Sequence, residues 1–193
     1  MEVNEFKTKG TFLIATKIFF ENYISNDYFN MNWNKYYPDK VLLSSSWYSS
    51  EPIIRWLDDA AKDKNISFNV LVLEHTKFML ERDLNGVYKF IMKLSGIKRI
   101  LDAQPQLAKS YHNWLEISNQ VNNGDYYQAE IIVPKLFTEF TICAAEGALN
   151  GVLKVCGQNM MDFKIINLET FIDKNIHFSK IIYGFSYIKE KIK

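Results

Sequence analysis

Apolar positions in the first half of the chain recur mostly at helical spacing. From Phe12 to Tyr23, Leu13, Lys17, Phe20 and Ile24 lie near one face and Phe12, Phe19 and Tyr23 on another. A second, aromatic segment over Asn26 to Tyr36 ends at Tyr37-Pro38, where the residue before proline leaves helical geometry. Ser49-Ser50-Glu51-Pro52 reads as a helix start, with serine as cap and proline in the first turn. Behind it Ile53, Trp56, Leu57, Ala60 and Ala61 hold the i, i+3, i+4, i+7, i+8 spacing of a core-facing stripe. Ser67 to Leu80 fits both periods: Phe68, Val70 and Val72 alternate, while Phe68, Leu71, Val72, His75 and Phe78 keep helical spacing. Length favours the helix. Val87 to Leu94 and Ile97 to Leu101 predict two short helices around Gly96, and Gln104-Pro105 opens another through Lys109.

The period then changes. Leu115, Ile117 and the stretch Tyr127 to Val133 predict two strands joined by the turn Asn122-Asn123-Gly124-Asp125. Phe137 to Val155 predicts a long helix. Asp162 to Leu168 and Ile176 to Tyr187 predict strands joined near Asp173-Lys174-Asn175. The order implies an α+β fold: a helical N-terminal half packed on a small antiparallel sheet with one long C-terminal helix. We read residues 1–193 as a single domain, with 1–112 mainly helical, 113–188 the sheet plus long helix, and 189–193 a solvated tail.

Composition narrows the class. An apolar fraction of 48%, with 15% aromatic, supplies enough buried surface to offset the entropy of ordering. The net charge of +1 provides no field for nucleic acid or an anionic membrane, so neither is an expected partner. The acidic start and the absence of a long uncharged apolar run predict a cytoplasmic protein without a membrane span. Cys143 and Cys156 fall in one helix about 20 Å apart, outside disulfide reach.

Candidate chemistry is sparse. His75, His112 and His177 have no partner at zinc-ligand spacing, and no CxxC, HExxH or GxSxG occurs. His75 is either a core histidine or a haem or metal ligand. His112, beside Tyr111 and Trp114 where helix gives way to strand, faces either a ligand or solvent. Asp58 and Asp59 point about 100° apart and read as a solvated face, not a dyad. Glu81, Arg82 and Asp83 read as surface ion pairs. Glu146 is an acid within an apolar helix. Gly147 and Gly151, with Ala144, Ala148 and Val152, make a face of mainly small residues, which predicts tight packing on the sheet or one wall of a cavity. The 14 Phe, 11 Tyr and 4 Trp supply core filling or a pocket for an apolar guest.

Four stretches, in order, carry a resemblance. They are Leu43-Ser44-Ser45-Ser46-Trp47-Tyr48, Glu81-Arg82-Asp83-Leu84-Asn85-Gly86-Val87-Tyr88-Lys89-Phe90, Tyr111 within Ala108 to His112, and Cys143-x-x-x-Gly147-x-x-x-Gly151. This order resembles an uncharacterised bacterial family known from myxobacteria. That family is similar to 4-vinyl reductase-type small-molecule-binding domains and, more distantly, to haem nitric-oxide/oxygen-binding domains. The resemblance spans roughly Lys9 to Leu168 and implies a cavity between the helical half and the sheet. In the haem branch, a histidine on the helix before the sheet binds iron and Tyr-x-Ser-x-Arg holds the propionates. The corresponding Met92-Lys93-Leu94-Ser95-Gly96-Ile97-Lys98-Arg99-Ile100 has no histidine, and Tyr-x-Ser-x-Arg is absent from the chain. In the vinyl reductase branch a cysteine-rich segment follows the long helix; no cysteine follows Cys156.

Together these readings predict a sensory or regulatory domain that binds a small apolar molecule without catalysis. Its candidate cavity residues are Trp56, Phe68, His75, Phe78, Tyr88, Tyr111, His112, Cys143 and Gly147. A homodimer or a signalling partner protein is the expected assembly. Haem is the alternative cofactor, held by His75 or His112 as a non-standard axial ligand. A protein-interaction module without a pocket, and an enzyme of tetrapyrrole or lipid metabolism, are the remaining readings.

Overall fold

The computed structural model describes residues 6–38, 40–85 and 97–189. The fold is α+β. Its elements are β1 (Lys7–Lys9), α1 (Gly10–Tyr23), α2 (Tyr28–Tyr36), β2 (Trp47–Ser49), α3 (Ser50–Asp63) and α4 (Phe68–Asn85). Residues 97–102 are helical. Then come α5 (Gln104–Tyr111), β3 (Glu116–Asn122), β4 (Tyr126–Pro134), a 3-10 turn (Lys135–Phe137), α6 (Thr138–Val155), β5 (Gln158–Asp173) and β6 (Ile176–Lys189). The predicted helix over Val87 to Leu94 lies outside the described residues.

The stripe of α3 is buried as its spacing requires: Ile53, Trp56, Leu57, Ala60 and Ala61 all face the core. Trp56 sits at the centre of an aromatic cluster, stacked on Tyr36 at 4.9 Å and packed on Phe29 at 4.6 Å. Its N-terminus departs from expectation. Ser49 occupies the cap position without a side-chain cap bond, and the Ser50 hydroxyl turns inward to Thr8 and Trp114. Proline in the first turn starts the helix without needing the serine cap.

Two three-residue strands, β1 and β2, pair antiparallel, Thr8 opposite Tyr48. A Cβ on Gly10 would stand 1.9 Å from the Leu43 carbonyl oxygen, so only glycine lets the 41–46 loop pass here. Tyr48 closes that loop by donating to the Val41 carbonyl at 2.5 Å and accepting from the Leu43 N–H at 2.7 Å.

The main sheet is antiparallel with strand order β3-β4-β6-β5. Alternate residues of β4 (Tyr127, Ala129, Ile131, Val133) and of β6 (Ile181, Tyr183, Phe185, Tyr187) are buried beneath the helices. The predicted hairpin around Lys174-Asn175 is present, both residues in the left-handed region at φ 47° and 65°. β5 is longer than its alternation suggests, because bulges at Met160/Asp162 and Ile165/Asn167 reset the face it presents.

Helix α6 is sandwiched between the sheet and α4. Its glycines meet α4, not the sheet: a Cβ on Gly147 would lie 2.2 Å from the Leu73 carbonyl oxygen, and one on Gly151 2.7 Å from that of Lys77. Asp58 and Asp59 behave as surface groups, whereas Glu81 and Asp83, expected at the surface, are partly buried. Asp58 pairs with Lys62 at 2.5 Å, Asp59 with Lys35 at 2.8 Å and Glu81 with Lys154 at 3.0 Å. The exposed pairs add little to stability, because solvent screens them. Both cysteines are free thiols. No helix among the described residues is long and apolar enough to cross a membrane.

Candidate ligand cavity

A cavity of about 120 Å³ lies where α4, α5 and α6 meet the inner face of the sheet. Helix α6 contributes Phe140, Thr141, Ala144, Ala145, Ala148, Leu149 and Val152. Helix α4 adds Thr76, Met79 and Leu80, and α5 adds Gln104, Leu107, Ala108 and Tyr111. Phe12, His112, Leu115, Ile117, Ile131 and Tyr183 complete the wall. The void follows from side-chain size: alanines on α6 face the sheet where longer residues would fill the gap.

The polar groups around it are mostly engaged. Thr76 donates to the Val72 carbonyl of its own helix at 2.9 Å. The Gln104 amide oxygen accepts from the phenols of Tyr127 at 3.0 Å and Tyr183 at 2.9 Å. Tyr111 donates to the Asp83 carboxylate. His112 Nδ1 shares a proton with the Thr8 hydroxyl at 3.0 Å; Thr8 meets Ser50 at 2.7 Å, which accepts from the Trp114 indole at 2.6 Å. His112 and Leu115 also line an outer cleft beside Phe6, Lys109 and Trp114. They stand between the cavity and that outer cleft.

Both core histidines are neutral at physiological pH. Burial pushes His112 down to about 3, with the neighbouring His75 adding to the effect. Burial does the same to His75, also to about 3, with a contribution from the Arg82 charge. Phe12 packs edge-on against both imidazoles, 5.2 Å from His75 and 4.9 Å from His112. His75 Nε2 meets the Thr16 hydroxyl at 2.9 Å, and Thr16 donates to the Phe12 carbonyl. Burial raises Cys143 to about 11, with Glu139 and Glu146 adding to it, so the thiol is protonated. Partial burial also raises the Glu146 carboxyl.

Of the residues singled out from sequence, Tyr111 and His112 line this cavity. Trp56 belongs to the α2–α3 aromatic cluster, and His75 lies behind Phe12, fully buried. Phe68 and Phe78 are part-buried at the edge of the core, Phe78 against Phe19 and Tyr23. Cys143 is buried on α6, and Gly147 is spent on the contact with α4. Tyr88 lies outside the described residues. Ala144, Ala148 and Val152, from the stripe of small residues, do face the void. Thr141, Leu107, Ile131 and Tyr183 carry no distinguishing signal in the sequence.

The described lining is a poor match for haem. Pockets for drug-sized ligands run to about 300–1,000 Å³, and a porphyrin is no smaller than such a ligand. The cavity is about 120 Å³. No Lys or Arg is among its described lining residues to pair with propionates. Of the two imidazoles near it, His75 is screened by Phe12 and His112 is tied to Thr8. Among the described residues no group of three or more His, Cys, Asp or Glu is placed to hold a metal ion.

No protein-family model matches the chain, and no curated protein matches it. Solved structures do. A Cs H-NOX mutant carrying 4-cyano-phenylalanine superposes with a TM-score of 0.70 at 12% identity, covering 96% of this chain and 99% of the other. An oxygen-binding H-NOX domain related to soluble guanylate cyclases gives a TM-score of 0.70 at 10% identity, covering 96% and 97%. An H-NOX protein from S. oneidensis in its Fe(II)NO state gives 0.63 at 16% identity, covering 90% and 97%. At these identities the likeness is one of architecture, and it extends over nearly the whole chain: the fold is that of the H-NOX domains.

Proposed function

We propose that this chain is a sensory or regulatory domain on the H-NOX fold that binds a small apolar molecule, in place of haem, and catalyses no reaction. The observation that carries the reading is the cavity of about 120 Å³, walled almost wholly by carbon, between α6 and the sheet. Apolar cavities of roughly 150 Å³ stay dry and take benzene or xenon. A guest here adds contacts that the empty void lacks, and so biases whatever α5 and α6 touch. Homodimerisation or a signalling partner protein is the expected means of output. A relation to the myxobacterial family and to 4-vinyl reductase-type domains, expected from the four sequence motifs, is part of the same proposal. Titration of the full chain with benzene tests the reading: saturable chemical-shift changes at Ala144, Ala148 and Ile131 support it, and their absence overturns it.

The shared fold favours a second reading, haem binding through a non-standard ligand. Added haem would then give a Soret band that His112→Ala or His75→Ala removes; no band on addition sinks it.

A further inference from the structure

Thr141 separates this cavity from a purely hydrocarbon one. It is 1% exposed and lines the void, yet its hydroxyl has no hydrogen-bond partner among the described residues. Helical threonines ordinarily bond back to a carbonyl of the preceding turn. Three among the described residues do: Thr16 donates to Phe12 at 3.0 Å, Thr76 to Val72 at 2.9 Å and Thr138 to Lys135 at 2.7 Å. The other polar side chains at the wall (Thr76, Gln104, Tyr111, His112, Tyr183) each make a hydrogen bond elsewhere. An unmade hydrogen bond in an apolar interior is destabilising, and a guest that supplied the missing partner would recover that loss on binding.

We infer that Thr141 is the specificity residue of the cavity, which takes a compact ring of about benzene size bearing one hydroxyl or similar hydrogen-bonding group. This rests on the cavity being the ligand site. The void, about 120 Å³, limits the guest to a single ring. The lone hydroxyl limits it to one polar group, since a second would be buried without a partner.

Phenol and benzene are the probes, titrated into the full chain and into Thr141→Val, with affinities from chemical-shift titration. Valine keeps the shape and removes the hydroxyl. The expected result is phenol binding weakened about tenfold by Thr141→Val, with benzene changed less than about twofold. Thr141→Ser, which retains the hydroxyl, keeps the phenol preference. Without ligand, Thr141→Val has a higher melting temperature than the parent chain, because the orphaned group is gone. Should the valine variant fail to fold, Thr141→Ala carries the same expectation of a phenol-selective loss. Equal changes for phenol and benzene, or a lower melting temperature for Thr141→Val, overturn the inference while leaving the cavity as a ligand site. Failure of both probes to bind the parent chain overturns the cavity reading itself, and the inference with it.

Discussion

Tyr111 on α5 donates its phenolic proton to Asp83 near the end of α4, and Arg82 holds the other oxygen of the same carboxylate. The contact fastens two walls of the cavity across its rim. Hydrogen bonds to charged groups contribute about 1.5–3 kcal/mol, less where solvent reaches the pair. Tyr111→Phe is therefore expected to lower stability by about 1–2 kcal/mol in urea denaturation. Asp83→Asn has a similar effect, and the double variant falls short of the sum because both changes remove one interaction.

Acid unfolding follows from the two core imidazoles. His75 and His112 titrate near 3 when folded, against 6.5 for an ordinary histidine. Between those values the unfolded chain binds more protons, so stability falls as pH drops below about 6.5 and is unaffected by these groups above it. Each histidine contributes a slope of about 1.4 kcal/mol per pH unit in that window. Urea midpoints measured from about pH 7 to pH 4.5 should show the decline. His75→Gln makes it shallower; an unchanged slope contradicts the assignment.

Gly147 cannot carry a side chain. The added Cβ of Gly147→Ala would sit 2.2 Å from backbone oxygen, where no rotamer relieves it. Overpacking of this kind destabilises by about 1–3 kcal/mol. Thermal melts of Gly147→Ala should show it, whereas Gly124→Ala meets nothing within 4 Å and is limited to the strain of its φ of +94°.

His112 is part of the partition between the cavity and the outer cleft. Removing its ring in His112→Ala opens a path through that wall. Benzene exchange followed by NMR line shape should accelerate, with dissociation affected more than affinity. An unchanged exchange rate places the access route elsewhere.

Periodicity made much of this fold legible. The α3 stripe, the α6 helix and the β4 alternation all have one strongly buried face, which is what spacing reports. Strands β1 and β2 escaped because three residues hold no period. The cavity is less legible than the fold. Tyr111 and His112 stand out where a helix turns into a strand, and Ala144 and Ala148 as small residues on a long helix. Thr141, Leu107, Ile131 and Tyr183 come together only through the placement of α5 and α6 over the sheet, which no local pattern encodes. Aromatic richness pointed equally to Trp56, whose ring is consumed by packing with Tyr36 and Phe29.

The glycines of α6 have a mechanical consequence. With Gly147 and Gly151 set against the α4 backbone, the two helices behave as one slab and resist being pried apart. The opposite wall is different: α5 has no fully buried residue and is latched through side-chain hydrogen bonds at Gln104 and Tyr111. An oversized occupant would therefore meet least resistance at α5, the wall held by side-chain hydrogen bonds and not by interlocked backbones.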